Sequence, residues 1–228
     1  SHRRNPVPEA THRRPSGLCK STELLRLKEC LEEDGYLVVY IDTMQETNLY
    51  DVAATDILLT MVRRLEEDLR AAPWGIPAHP KLLEAIADQL ADAVVEKEER
   101  RDKEHDVEAH YQLGVQVPLF AKMMAVVKGA IKDSTSVRHI IRRNLDPNLP
   151  LFTDNLNLLI GDVQQKIRDK GKAGLVIIVD NLEKLAYRPL NEHGEMDTYI
   201  QLYIQGANQL KSPNCHIIYT VPISLFFE

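Results

Sequence analysis

The sequence predicts an α/β fold, in which a parallel β-sheet is covered by helices on both faces. Three short runs rich in β-branched and aromatic residues have the length of strands: "YLVVYID" over 36–42, "GLVIIVD" over 174–180 and "CHIIYTV" over 215–221. Their apolar residues are continuous rather than alternating, which is typical of strands buried on both faces. Each run follows a stretch with helical periodicity, and this alternation predicts a three-layer arrangement with parallel strands.

The helices are predicted from apolar residues that recur every three or four positions. The first, over 20–33, carries leucines at positions 24, 25, 27 and 31, and Gly35 follows its end. Further helices are predicted over 51–71, 81–108, 117–133, 136–145, 152–171 and 195–211. We expect Thr153 or Asp154 to cap the helix over 152–171, and Gly171 to end it.

The chain divides into a short N-terminal segment and one domain. Residues 1–16 are rich in arginine and interrupted by prolines, so we expect this segment to be irregular. The domain is predicted to cover 17–228, with a helical insert at about 72–150 between the first two strands.

Composition limits the classes of partner. The 228 residues carry a net charge of −6, which gives no general electrostatic attraction to nucleic acids or anionic membranes. The apolar runs are too short to span a bilayer. Cys19, Cys30 and Cys215 match no zinc or disulfide spacing and suit a reducing compartment. We therefore expect a cytoplasmic protein that does not bind membranes and has no general affinity for nucleic acid.

The start of the first helix approximates a phosphate-binding motif. Such a loop needs glycines whose backbone N–H groups surround the phosphates, then a lysine and a hydroxyl for Mg²⁺ at a helix N-terminus. A lysine, a serine and a threonine at 20–22 open the helix as required. Arg14 and Cys19 stand where the motif has glycines, and Gly17 lies within the loop. The alternative, a helix that begins with these residues for reasons unrelated to phosphate, stays open on this pattern alone.

The later strands end in residues that suit nucleotide chemistry. Asp180 is the last residue of the second strand, and a carboxylate in this place holds Mg²⁺ in P-loop enzymes. Thr220 lies at the end of the third strand, where a polar side chain can sense a γ-phosphate. The first strand likewise ends in Asp42. Each feature is common on its own, and their order along the chain is the informative observation.

Taken in that order, three stretches resemble P-loop NTPases of the AAA+/STAND-like class, which are bacterial signalling or conflict ATPases. They are "KSTELLRLKECLEEDGYLVVYIDT", "GLVIIVDNLEKL" and "NCHIIYTVPISL". Relative to that class the phosphate-binding loop is degenerate or truncated. The resemblance implies a sheet of order 5-1-4-3-2, of which this chain carries strands 4, 3 and 2, with the strand over 215–221 at the edge.

The same resemblance implies ATP and Mg²⁺ as ligands and assigns residues to them. Lys20 would contact the β- and γ-phosphates, Thr22 would approach the α-phosphate, and Gly17 would lie in the loop around them. Ser21 and Asp180 would hold Mg²⁺.

The residues that the resemblance assigns to catalysis lie after the second and third strands. Asp180, Glu183 and Thr220 would form this set, with Thr220 as the γ-phosphate sensor. Asn181 stands where such ATPases often carry a water-activating glutamate, and Glu183 is the nearest acid. We expect an ATP-binding regulatory module that is impaired by its degenerate loop, and whether it also hydrolyses ATP stays open. The alternative is a non-enzymatic protein-interaction scaffold, a pseudo-ATPase, that uses the helical insert.

Two further expectations concern surfaces. Because bare strand edges tend to be covered or paired, we expect the N-terminal segment or another chain to cover the strand over 215–221. A protein partner or self-association is therefore expected. The motif "RHIIRRN" places Arg138, Arg142 and Arg143 beside His139, which predicts an exposed basic helix face. Contact of that face with an anion or a nucleic acid is the alternative.

Overall fold

The computed structural model describes residues 20–72, 77–101, 119–190 and 196–226. Within these ranges the fold is α/β, and the strands form one three-stranded parallel sheet. The strands are β1 (Tyr36–Asp42), β2 (Gly174–Asp180) and β3 (His216–Tyr219). Their order in the sheet is β1-β2-β3, so the strand over 174–180 is central and β3 lies at an edge, as expected from the sequence.

Helices pack against this sheet, and their labels follow chain order. They are α1 (Lys20–Glu33), α2 (Thr43–Glu46), α3 (Ala54–Ala71), α4 (Pro80–Arg101), α5 (Leu119–Asp133), α6 (Thr135–Leu145), α7 (Leu149–Asp169) and α8 (Ala207–Leu210). A π-helical segment, Ile200–Gln205, precedes α8. Among the described residues, no helix is both long and apolar enough to cross a lipid bilayer.

The helices differ from the sequence prediction in several places. The short α2 was not predicted, and it forms because the Asp42 carboxylate accepts a hydrogen bond from the Met44 N–H. Helix α7 begins at Leu149 rather than at a cap formed by Thr153 or Asp154, since a proline is accepted in the first turn of a helix. The predicted helix over 195–211 is divided into the π-helical segment and α8.

Helices pack against both faces of the sheet. On one face, Val38, Val176 and Ile178 form a small apolar cluster, against which Leu24 and Leu31 of α1 pack. The opposite face belongs to a much larger core that includes residues of α3 to α8. The predicted helical insert is therefore not an appendage in its described part, because its side chains share one continuous core with the sheet.

Helix α1 is less buried than its leucine pattern predicted. Leu24 and Leu31 contact the sheet, but Leu25 and Leu27 are 45% and 38% exposed. Cys30 of this helix is exposed as well. The helix therefore rests on the sheet along a narrow line, and its N-terminal turn stays accessible from solvent.

The basic cluster on α6 is divided between interior and surface: Arg138 and Arg142 are buried, contrary to the prediction of an exposed face, whereas His139 and Arg143 are exposed. Arg138 is 1% exposed and donates to Asp51 Oδ2 at 2.8 Å and to the Ile131 carbonyl oxygen at 2.9 Å. Arg142 donates to Asp51 Oδ1 at 2.8 Å and also pairs with Asp56. These arginines fasten α6 to the loop before α3, so they are not available to bind a nucleic acid.

Candidate functional site

Three of the residues predicted to bind a nucleotide and its metal, Lys20, Ser21 and Asp180, lie near the carboxyl ends of the parallel strands. Asp42 and Asp180 are register partners at the last positions of β1 and β2, and α1 begins beside them. Lys20 lies in the first turn of α1, and its Nζ is 3.7 Å from Oε1 of Glu183. The Lys20 side chain is 64% exposed and that of Glu183 is 13% exposed. The ammonium group is thus accessible from solvent while its partner carboxylate lies mostly inside.

Asp180 is fully buried, and hydrogen bonds satisfy both of its carboxylate oxygens. Oδ2 accepts from the Tyr40 hydroxyl at 2.5 Å, and Oδ1 accepts from the Asn181 backbone N–H at 2.7 Å. The Thr43 hydroxyl donates to the Asp180 carbonyl oxygen at 2.8 Å. These bonds compensate the carboxylate for its burial and hold it in one orientation.

Asn181 reverses the chain direction directly after β2. Its φ of 64° lies in the left-handed region, which asparagine tolerates better than most residues. Its Nδ2 donates to Asp42 Oδ1 at 2.8 Å, so the side chain joins the ends of the two strands. Its Oδ1 is buried without a hydrogen-bond partner among the described residues. This turn presents an unused acceptor at the edge of the sheet.

The turn that follows places Glu183 and is fastened by Thr220. Leu182–Lys184 form a 3-10 turn, whose first N–H donates to the Thr220 hydroxyl oxygen at 3.0 Å. The Tyr203 hydroxyl donates to the Leu182 carbonyl oxygen at 2.7 Å. Oε2 of Glu183 is buried and, within the described residues, accepts no hydrogen bond. Thr220 therefore orders the loop that carries Glu183.

The hydroxyl of Tyr40 connects the helix to the strand ends. Ser21 of α1 lines the same cleft as Tyr40, whose hydroxyl donates to Asp180 Oδ2. Burial, followed by the hydrogen bond and the charge of Asp180, raises the pKa of the Tyr40 phenol well above its usual range. Tyr40 therefore remains protonated, and the sequence analysis missed its role because a tyrosine in a strand is accounted for by β-propensity alone.

The remaining predicted residues are placed as follows. Thr22 is partly buried in the first turn of α1. Gly17, Arg14 and Cys19 lie outside the described residues, so the predicted phosphate loop itself is not part of the described site. Asp42 was noted only as a strand end, yet it holds Asn181 and caps α2. Its position two residues after Tyr40, on the same face of β1, is the sequence signal that links the two side chains.

The described residues fit a phosphate ligand accompanied by a cation. An open cleft of about 400 Å³ lies over the strand ends, lined by Ser21, Tyr40, Asp42 and Asn181. Nearby, the buried acceptor on Glu183 lacks a donor, and Lys20 offers an exposed positive charge. The described residues contain no group of three or more His, Cys, Asp or Glu side chains that could hold a metal ion. Mg²⁺ bound through one carboxylate, a hydroxyl and ligand phosphates does not need such a group.

Comparison with known proteins does not assign the chain to a family. No protein-family model, no curated protein and no solved structure matches the chain. What the protein does must therefore be inferred from the residues at the strand ends.

Proposed function

We propose that the chain is an ATP-binding regulatory module of the P-loop type, similar to AAA+/STAND-like ATPases. The observation that carries this proposal is that two pairs of residues, remote from each other in sequence, meet at one edge of a parallel sheet. They are Lys20 with Ser21 and Asp180 with Glu183. In open α/β sheets, ligands bind outside the carboxyl ends of the strands. An exposed lysine at a helix N-terminus adds the positive potential that phosphates require.

Each residue has a defined task in this proposal. Lys20 would exchange its partner Glu183 for the β- and γ-phosphates. The first N–H groups of α1 would donate hydrogen bonds to the phosphate oxygens. Ser21 and Asp180 would hold Mg²⁺, which would neutralise phosphate charge. Thr220 would keep the Glu183 turn in place near the γ-phosphate.

Binding is a stronger part of the proposal than hydrolysis. Asn181 follows Asp180 directly and cannot accept a proton from water at neutral pH. Glu183 is the nearest carboxylate, but it contacts Lys20 and must be released before it can act as a base. We therefore propose slow hydrolysis or none, with regulation exerted by nucleotide binding that orders the loops around the site in a cytoplasmic protein.

Isothermal titration calorimetry with ATP and ADP in the presence of Mg²⁺ tests the proposal. We expect micromolar binding that weakens at least about tenfold in Lys20→Ala, because a charge-assisted contact to phosphate is lost. Lys28→Ala is the matched control, since Lys28 lies in the same helix and pairs with Glu32 at 2.7 Å. Binding that is equally strong in the wild type and in Lys20→Ala would exclude the site at the start of α1.

A non-enzymatic scaffold is the second candidate function. It is favoured by the hydrogen bonds of Asp180, because protein donors occupy both of its carboxylate oxygens. A pseudo-ATPase of this kind would bind a protein partner, or a second copy of itself, through the helices between β1 and β2. The absence of any nucleotide binding up to millimolar concentration in the same titration would favour this scaffold over the ATP-binding module.

A further inference from the structure

The hydroxyl of Tyr40 lies between the two side chains that the proposed function assigns to Mg²⁺. It donates to Asp180 Oδ2 at 2.5 Å, and together with Ser21 it lines the cleft at the strand ends. A neutral protein group thus occupies the carboxylate beside the serine.

The hydrogen bond from Tyr40 leaves Asp180 without a free carboxylate oxygen. Its Oδ1 accepts from the Asn181 N–H at 2.7 Å, and the whole residue is buried. A buried carboxylate with a donor on each oxygen needs no cation for its stability. Any cation that reaches Asp180 from the side of Ser21 has to displace the Tyr40 hydroxyl.

The surroundings of Tyr40 allow such a displacement. Its ring packs with the apolar cluster of Val38 and Ile178 under α1, while its polar end lines the open cleft at the strand ends. A rotation of the side chain would move the hydroxyl into the cleft without breaking a backbone bond of the sheet.

We propose that Tyr40 is a plug that a divalent cation must displace, so that its hydroxyl sets the Mg²⁺ requirement of the site. This inference rests on the proposed function for the identity of the two metal-binding side chains. Tyr40 acts as a positioning residue here: its hydroxyl holds the Asp180 carboxylate without metal and competes with the cation for it.

Direct binding of Mn²⁺, measured by electron paramagnetic resonance on the full chain without nucleotide, tests the plug. Tyr40→Phe removes the competing hydroxyl, and we expect it to bind Mn²⁺ about tenfold more tightly than the wild type, the scale of one hydrogen bond to a charged group. Tyr36→Phe is the matched control, because Tyr36 lies on the same face at the other end of β1. Asp180→Asn combined with Tyr40→Phe should abolish the gain.

The outcomes separate the plug from the proposed function. Unchanged or weaker Mn²⁺ binding in a folded Tyr40→Phe protein overturns the plug, even if ATP binds. Tighter Mn²⁺ binding without any ATP binding supports the plug and removes the nucleotide function. Should Tyr40→Phe fail to fold, Tyr40→Met, which also lacks the hydroxyl, gives the same comparison. Where ATP binds and Tyr40→Phe also binds Mn²⁺ more tightly than the wild type, both proposals are supported.

Discussion

At the scale of single residues, Asn181 is the clearest case of a backbone requirement at the site. Its left-handed φ of 64° is costly for residues with a Cβ other than asparagine and aspartate. Asn181→Ala and Asn181→Gly both lose the bond to Asp42, but only alanine is strained. We expect the alanine variant to be less stable than the glycine variant by about 1 kcal/mol, measured by urea unfolding. Equal stabilities would show that the turn relaxes away from this conformation.

Asp51 is the residue whose protonation should govern acid stability. Burial raises its pKa, but bonds to Arg142 and Arg138 outweigh burial and hold the pKa of Asp51 below its usual range. A lowered folded-state pKa contributes stability that is present above the unfolded pKa of about 3.9 and is lost as pH falls through the folded value.

We therefore expect urea midpoints to fall steeply below about pH 4 in the wild type and less steeply in Asp51→Asn. At pH 7 that variant should lose about 3 kcal/mol, because buried Arg138 loses its countercharge and Arg142 keeps only Asp56. The exposed Asp34→Asn serves as control and should leave the wild-type pH profile unchanged. If the urea midpoint of Asp51→Asn fell with decreasing pH as steeply as that of the wild type, Asp51 would not be the residue that governs acid stability.

Sequence reasoning named residues that the structure brings close together, but it did not predict their connections. Lys20, Ser21 and Asp180 could be named because a motif prescribes residue types at fixed spacing. Tyr40 could not, because its role depends on a side chain reaching from β1 to the end of β2. Arg138 was placed on a solvent face because its burial depends on Asp51, a partner distant in the chain.

At the scale of elements, the strands followed from composition, whereas the helix boundaries depended on capping and close packing. The bounds of β1 and β2 coincide with their apolar runs. The division of the predicted helix over 195–211 does not follow from periodicity. It occurs at Gly206, where the backbone lies so close to Ala54 of α3 that there is little space for a side chain.

Gly206 gives a packing test of that approach. A Cβ at Gly206 would lie 2.5 Å from the Leu202 carbonyl oxygen and 3.1 Å from the Ala54 Cβ. Gly206→Ala should therefore destabilise the protein by about 1–3 kcal/mol. Gly161→Ala is the control: its Cβ in α7 meets no atom within 4 Å, so it should stabilise by about 0.5–1 kcal/mol. Thermal unfolding by circular dichroism compares both, and a neutral Gly206→Ala would contradict the close contact.

At the scale of the whole molecule, the continuous core makes the sheet and the helices between β1 and β2 one folding unit. Residues of α4, α5 and α6 share that core with Val39 and Ile177. We expect a single unfolding transition in which helical circular dichroism and hydrogen exchange of β2 report the same free energy. Two separate transitions would show that the insert folds independently.

The sequence predicted the architecture because parallel strands and helices leave local patterns, but it could not predict how far the insert is built into the core. That property depends on contacts between segments that are distant in the chain. The edge of β3 is paired only with β2 among the described residues, and its covering by the N-terminal segment or another chain stays a prediction.

The central claim is that the start of α1 and the strand ends form one nucleotide site, and hydrogen–deuterium exchange with mass spectrometry tests it most directly. The first N–H groups of a helix lack intrahelical partners, so bound phosphate should protect them. With Mg²⁺-ATP that saturates the wild type, we predict exchange slowed roughly tenfold or more at 20–23, with protection at 180–184 and Thr220, and clearly less protection in Lys20→Ala at the same concentration. Unchanged exchange at these positions, or protection confined to α4, α5 and α6, would contradict the account.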